Sequence, residues 1–288
     1  MVPSTGRALK ESRKRSGTVL LLAAVLAIGL ECLPAGSAGK TPDYGYPVPA
    51  GEKLFYSIYW DPPWYLFFFP SMHAGDAELS IEEGAEYQGR PALKIRFKVD
   101  STGTLSKISG MEIHDEFLFL TDPETLCTFS ASKKILEGKR KRTIDVQYLP
   151  QTRQLHMLDY DESVEPRKLK RDIVKDDIPE CVQDPLSGLY DLRRRPLHDD
   201  AVIAIVLGHD DLVKQVESRV EKLVALDTTA GKVAAWRLRT ISLVEGLFRR
   251  GGEFRIWVSA DERQVPLQFE VKVKLGRVLG KLEKTEIR

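Results

Sequence analysis

Apolar and polar residues alternate with a period of two along most of this chain from Glu52 onward, and that pattern points to a β-sheet. Leu54, Tyr56, Ile58 and Trp60 share one phase, as do Ala77, Leu79 and Ile81, and Leu93, Ile95, Phe97 and Val99. Further windows are Ile144/Val146/Tyr148, Phe254/Ile256/Val258 and Phe269/Val271/Val273/Leu275. Successive side chains of a strand point to opposite faces, so each run offers one face to a core and one to water. Turn formers separate the runs at Tyr87–Pro91, Thr121–Pro123, Leu149–Gln151, Arg250–Gly252 and Ala260–Glu262. Many strands with short turns imply a large antiparallel sheet, a sandwich or a barrel.

Two stretches break the alternation. Residues 184–195 read as one short helix: Asp184 can cap it, Pro185 suits its first turn, Arg193–Arg195 favour its C-terminus and Pro196 stops it. Leu186, Leu189 and Tyr190 would then face the sheet. The segment 212–226, with Leu212, Val213, Val216, Val220, Leu223 and Val224, has helical spacing, and periodicity alone predicts a helix there.

The N-terminus predicts export. Arg7, Lys10, Arg13, Lys14 and Arg15 precede an apolar run from Thr18 to Leu30, followed by Pro34 and the small residues Ala35 to Gly39. This is the order of a signal peptide, and the run is shorter than the roughly 20 residues that a spanning helix needs. Cleavage is expected after Ala38, in a bacterial-type envelope. Glu31 before Cys32 argues against lipidation, since a small residue is required there. Residues 1–38 hold five of the 43 basic residues and two of the 42 acidic ones, so the remaining chain is slightly acidic. That argues against a general nucleic-acid binder, which needs a basic footprint. Residues 39–50 read as an extended leader, and 51–288 as a single β-rich domain or two β halves joined by the 184–195 helix. Cys127 and Cys181 survive cleavage; in an oxidising compartment they suggest a disulfide, but nothing in the sequence places them together.

The order of motifs resembles the exported bacterial family catalogued as domain of unknown function 3108. The pieces that carry it are Gly51–Tyr56, the Ala74-Gly75-Asp-Ala-Glu-Leu79 run, Asp184-Pro-Leu-Ser-Gly-Leu-Tyr190 and Thr229-Ala-Gly231. They continue with Phe254-Arg-Ile-Trp-Val-Ser-Ala-Asp261, Val265-Pro266 and Gly276-Arg-Val-Leu-Gly280. The resemblance implies an envelope protein with a strongly curved sheet or half-open barrel, and a strand rather than a helix for 213–226. It implies no reaction and supplies no catalytic residues.

Where that pattern leads one to expect a short turn after Trp60, this chain has Asp61-Pro-Pro-Trp64-Tyr65-Leu66-Phe67-Phe68-Phe69-Pro70-Ser-Met72. The run is apolar on every side, and its prolines oppose ladder pairing. It would line an apolar pocket, dip into a membrane interface where Trp and Tyr are favoured, or pack down as a core plug or dimer contact. Trp60, Trp64, Tyr65, Phe67, Phe68, Phe69 and Met72 are the candidate contact residues.

Other chemistry is weakly signalled. The five histidines are not at metal-ligand spacing, so no metal and no cofactor is expected. His114, His198 and His209 each adjoin acidic residues, which more often mark solvated turns than acid/base sites. Gly-x-Ser-x-Gly is absent. Basic clusters at 139–142, 167–171, 193–195 and 249–250 would meet anionic headgroups or polysaccharide only if they shared one face. The expectation is a noncatalytic envelope protein that binds an apolar ligand, a lipid among the candidates, or a membrane surface, through a concave sheet face and the aromatic loop. The alternatives are a scaffold for another envelope protein or a cell-wall polymer, and an envelope hydrolase.

Overall fold

The computed structural model describes residues 47–66, 68–102, 112–241, 253–273 and 276–287. The expected signal peptide at 1–38, most of the expected leader and Phe67 lie outside the described residues. Within them the elements are β1 (Glu52–Asp61), β2 (Met72–Tyr87), β3 (Arg90–Ser101), β4 (His114–Thr121), β5 (Thr128–Glu137), β6 (Arg140–Leu149), β7 (Gln154–Asp161) and β8 (Lys168–Lys175). Then follow helix α1 (Pro185–Arg193), β9 (Val202–His209), β10 (Leu212–Thr228), β11 (Gly231–Ile241), β12 (Glu253–Ser259), β13 (Pro266–Lys272) and β14 (Arg277–Ile287).

The strands form one antiparallel sheet of order β8-β7-β6-β5-β4-β3-β2-β1-β14-β13-β12-β11-β10-β9. The described chain therefore begins mid-sheet, meanders to the β8 edge, crosses by way of α1 to the β9 edge and meanders back. β14 ends against β1, with Glu52 opposite Ile287 and Asp61 opposite Arg277. The strands before and after the helix belong to one continuous sheet, joined through β1 and β14.

Curvature brings the two arms of the sheet together without closing it. The strip before α1 bridges them: the Thr128 N–H donates to the Val182 carbonyl, and Gln183 pairs in parallel with Leu207 of β9. Gly208 makes that approach feasible, because a Cβ there would overlap the Tyr148 hydroxyl and Val182. Cys127 and Cys181 are joined by a disulfide on the same strip, with their Cα atoms 5.1 Å apart. The result is a half-open barrel whose inner face carries Leu54, Ile58, Ile81, Ile95, Phe119, Ile144, Leu155, Met157 and Leu238, all essentially inaccessible.

Helix α1 lies inside the curve. Asp184 caps it, accepting from the backbone N–H groups of Leu186 and Ser187, while the Thr128 hydroxyl donates to the same carboxylate. Leu186 and Tyr190 are buried and Leu189 is half-buried. The segment 212–226 is strand, as the resemblance implies and against its helical spacing. Val216, Ser218 and Val220 alternate inward, and a bulge between Val220 and Lys222 shifts the phase. That bulge, together with valines beyond the sheet's buried zone, is what mimics a helical period.

Candidate functional site

The aromatic insertion links β1 to β2 at the middle of the sheet. Pro62 and Pro63 cannot donate to a ladder, so pairing stops at Asp61, and a single 3-10 turn forms over Trp64–Leu66. The Leu66 N–H donates to the Pro63 carbonyl at 2.8 Å, and the Phe69 N–H to the Leu66 carbonyl at 2.9 Å. This tight backbone projects the rings outward. Trp64 is 86% exposed, Phe68 64%, Tyr65 50% and Phe69 45%. Trp64 packs edge-on against Tyr65 at 6.0 Å between centroids, and Phe68 tilts onto Phe69 at 4.6 Å. The rings therefore make contact within adjacent pairs, and much of their surface faces water.

The foot of the turn is pinned. Arg277 donates to Asp61 at 2.8 Å and to Glu270 at 3.2 Å. Gly276, at φ +89°, sits so close to the Asp61 carbonyl that a Cβ would overlap it. Exposed Lys272 pairs across β13–β14 with Arg277, placing basic side chains beside the turn.

The structure divides the candidate residues. Trp64, Tyr65, Phe68 and Phe69 form the exposed cluster. Trp60 does not belong to it: the residue lies on the inward phase of β1 and is part of the core. Met72, opposite Trp60 across β1–β2, also packs against that core. Phe67 lies outside the described residues. Asp184, Pro185, Leu186 and Tyr190 serve α1.

The concave face is largely filled by α1 and inward side chains, leaving a cavity of about 90 Å³ beneath the helix. It is lined by apolar side chains of α1, β1–β3, β9, β10, β12 and β13, with the hydroxyls of Ser218 and Thr240 among them.

Three histidine–acid neighbourhoods resolve differently. His114 reaches Asp100 at 2.7 Å on the outer face, while Asp115 turns inward and accepts from the Leu136 N–H. Burial pushes the Asp115 carboxyl up to about 6, with Glu137 adding to the effect. His198 engages only the neighbouring Asp199 carbonyl. His209 and Asp210 both meet the buried Lys133 ammonium, at 3.0 and 2.8 Å, and Asp211 meets Arg171. Burial and the adjacent Lys133 hold His209 down at about 3, so it is neutral at physiological pH. Burial works against the Asp210 carboxylate, but Lys133, His209 and Arg171 together hold the group below the usual range. These contacts tie the β9–β10 turn to β5 and β8.

Sequence reasoning missed the long-range partners in these networks. Their signal was a charge on the apolar phase of a strand: Glu52 in step with Leu54, Lys133 with Ala131 and Ile135, Asp115 with Phe117, Asp159 with Met157. Residues of three basic clusters are paired with acids: Arg140 with Glu137, Arg142 and Arg171 with the same Asp159, and Arg193 with Glu52. Residues 249–250 lie outside the described residues. Among the described residues no group of three His, Cys, Asp or Glu could hold a metal ion, and no helix is long and apolar enough to cross a membrane.

Comparison with known proteins adds fold and family. A search of curated proteins finds no match. Among solved structures, the chain is similar to a beta-barrel-like protein of domain of unknown function DUF1849 from Brucella abortus, with a TM-score of 0.56 and 11% identity, covering 84% of this chain and 99% of that one. At that identity the likeness speaks to the fold alone. Matched over residues 56–283, from β1 to β14, the chain belongs to the family described as protein of unknown function (DUF3108).

Proposed function

We propose that this is a noncatalytic, exported envelope protein that seats on the membrane interface through the aromatic turn at residues 61–71. One observation carries the reading: Trp64, Tyr65, Phe68 and Phe69 are clustered on one tight turn and held out from the sheet. A soluble surface rarely concentrates large apolar side chains without a partner. Trp and Tyr suit the headgroup region, where a ring is buried while its polar edge stays hydrated. At about 25 cal/mol per Å², each ring transferred contributes roughly 1–3 kcal/mol, so four rings suffice for reversible seating without an anchor. Lys272, exposed beside the turn, adds attraction to anionic headgroups. The interior ionisable groups support a structural role for the rest of the domain. Lys133 binds His209 and Asp210, and Arg193 binds Glu52, so each fastens two elements.

The test is flotation of the protein lacking residues 1–38 with vesicles of phosphatidylethanolamine and phosphatidylglycerol. The wild type should float with the vesicles, and the Trp64→Ser/Phe68→Ser/Phe69→Ser variant should stay at the bottom. Equal behaviour of the two proteins sinks the proposal. If wild type fails to float but captures an envelope protein that the variant loses, the turn is a protein-binding hot spot instead.

A further inference from the structure

The hollow beneath α1 is separate from the aromatic turn, and its chemistry is specific. Its floor is the inner face of β1–β3 and β9–β13 and its roof the apolar side of α1, where Leu186, Gly188, Leu189 and Leu192 contribute. Gly188 keeps that roof close, since a Cβ there would approach the Leu207 side chain to 2.8 Å. Almost the whole wall is hydrocarbon or aromatic.

Within that wall stand two hydroxyls. Ser218 and Thr240 are directly opposite across β10–β11, both more than nine-tenths buried, with their oxygens 2.5 Å apart. A pair of hydroxyls has two protons and only one is used between them. The second O–H therefore has no acceptor within the pair, and a buried donor left unsatisfied is costly. The third polar group of the wall, the Tyr56 hydroxyl, spends its proton on the Pro266 carbonyl at 2.8 Å.

Away from the two hydroxyls the wall offers water nothing to bond, whereas an apolar molecule with one acceptor matches both parts of it. No cationic side chain lines the hollow, so a carboxylate or phosphate would enter without a counter-charge. We propose that the hollow is a binding site for a small neutral organic molecule, hydrocarbon over most of its surface, with one hydrogen-bond acceptor directed at the Ser218–Thr240 pair. At about 90 Å³ the space is smaller than the engineered cavity of about 150 Å³ that admits benzene. The ligand class is thus a short-chain or small-ring ketone, ester or ether, not a full acyl chain.

Acetone and propane serve as probes, both smaller than benzene, matched in carbon count and differing in the acceptor. Methyl-selective NMR of the protein lacking residues 1–38 follows Leu186, Leu189, Ile205, Leu207, Val216 and Ile256 during titration with each. The expected result is saturable shifts confined to these methyls, with acetone binding about tenfold more tightly than propane. The Ser218→Ala/Thr240→Val variant should bind both probes equally, which shows that it remains folded and that the hydroxyls read the acceptor. No saturable shift with either probe, shifts spread over the surface, or an unchanged ketone preference in the variant would each overturn the proposal. The triple-Ser variant of the aromatic turn should bind acetone as wild type does, so the two readings fail or stand separately.

Discussion

The guanidinium of Arg193 donates to both carboxylate oxygens of Glu52, at 2.6 and 2.9 Å, across 141 positions of sequence. Both side chains are almost wholly buried, and the Tyr190 hydroxyl donates to the same carboxylate at 3.2 Å. Arg193 also donates to the carbonyls of Arg263 and Gln264, and the Gln264 amide returns bonds to the carbonyls of Arg193 and Arg195. One residue of α1 thereby fastens the helix to the start of the central strand and to the β12–β13 turn.

Removing one partner of this pair leaves a buried charge uncompensated, and such changes cost about 3–5 kcal/mol. Arg193→Met and Glu52→Leu alone should each lower the urea midpoint sharply. The double variant should recover a large part of the loss, because two apolar groups of similar shape are tolerated where one stranded ion is not. A double variant as unstable as the sum of the singles would show that the pair's worth lies in its bonds to the backbone carbonyls.

Acid should act through the His209 cluster and Asp115 with opposite signs. His209 titrates near 3 when folded and near 6.5 when unfolded, so its contribution is present above pH 6.5 and drains away as pH falls toward 3, at up to roughly 1.4 kcal/mol per unit. Asp115 titrates near 6 when folded, above its unfolded value near 3.9, so protonating it favours the fold as pH falls between those values. Wild-type stability should therefore change little between pH 6 and 4. Below that window it should fall as the depressed carboxylate of Asp210 is protonated. His209→Gln should be relatively stabilised on going from pH 6 to 4, and Asp115→Asn relatively destabilised. Chemical denaturation at each pH checks the slopes; parallel curves for all three proteins would refute the assignment.

The disulfide between Cys127 and Cys181 closes a separation of 54 residues and holds the strip that bridges the arms of the sheet. In the chain-entropy view a loop of that length contributes about 4 kcal/mol. Cys127→Ser/Cys181→Ser should lose about 2–4 kcal/mol in guanidinium unfolding, and wild type treated with reductant should match it. A variant within 1 kcal/mol of wild type would mean that the strip's hydrogen bonds suffice.

Substitutions in the aromatic turn should separate surface function from stability. Trp64, Phe68 and Phe69 are exposed, so changing all three to serine should alter folding stability by no more than about 1 kcal/mol while removing vesicle flotation. A large loss of stability would place the rings in packing rather than in docking.

Much of the architecture is legible in residue order. The alternating phases of β1, β3 and β6 appear directly as alternating burial, and the Asp184 cap, Pro185 and the basic last turn before Pro196 mark α1. β10 is the instructive miss: a bulge resets its phase, so a strand carries the apolar spacing of a helix. The aromatic insertion stands out by composition, but Trp60 and Met72 differ from Trp64 and Phe68 only in strand phase and pairing.

By itself, the sequence determined that the chain builds a β-sheet, that a capped helix begins at Pro185 and that an apolar turn follows β1, because strand period, caps and proline chemistry are local. Tertiary structure alone decided that β1 lies at the centre of the sheet beside β14, that Glu52 meets Arg193 and that Lys133 meets His209. It also decided that Ser218 and Thr240 share a hollow beneath α1. Those pairings join residues far apart in the chain through the sheet's curvature, and no local propensity encodes how strongly a sheet of this length curls.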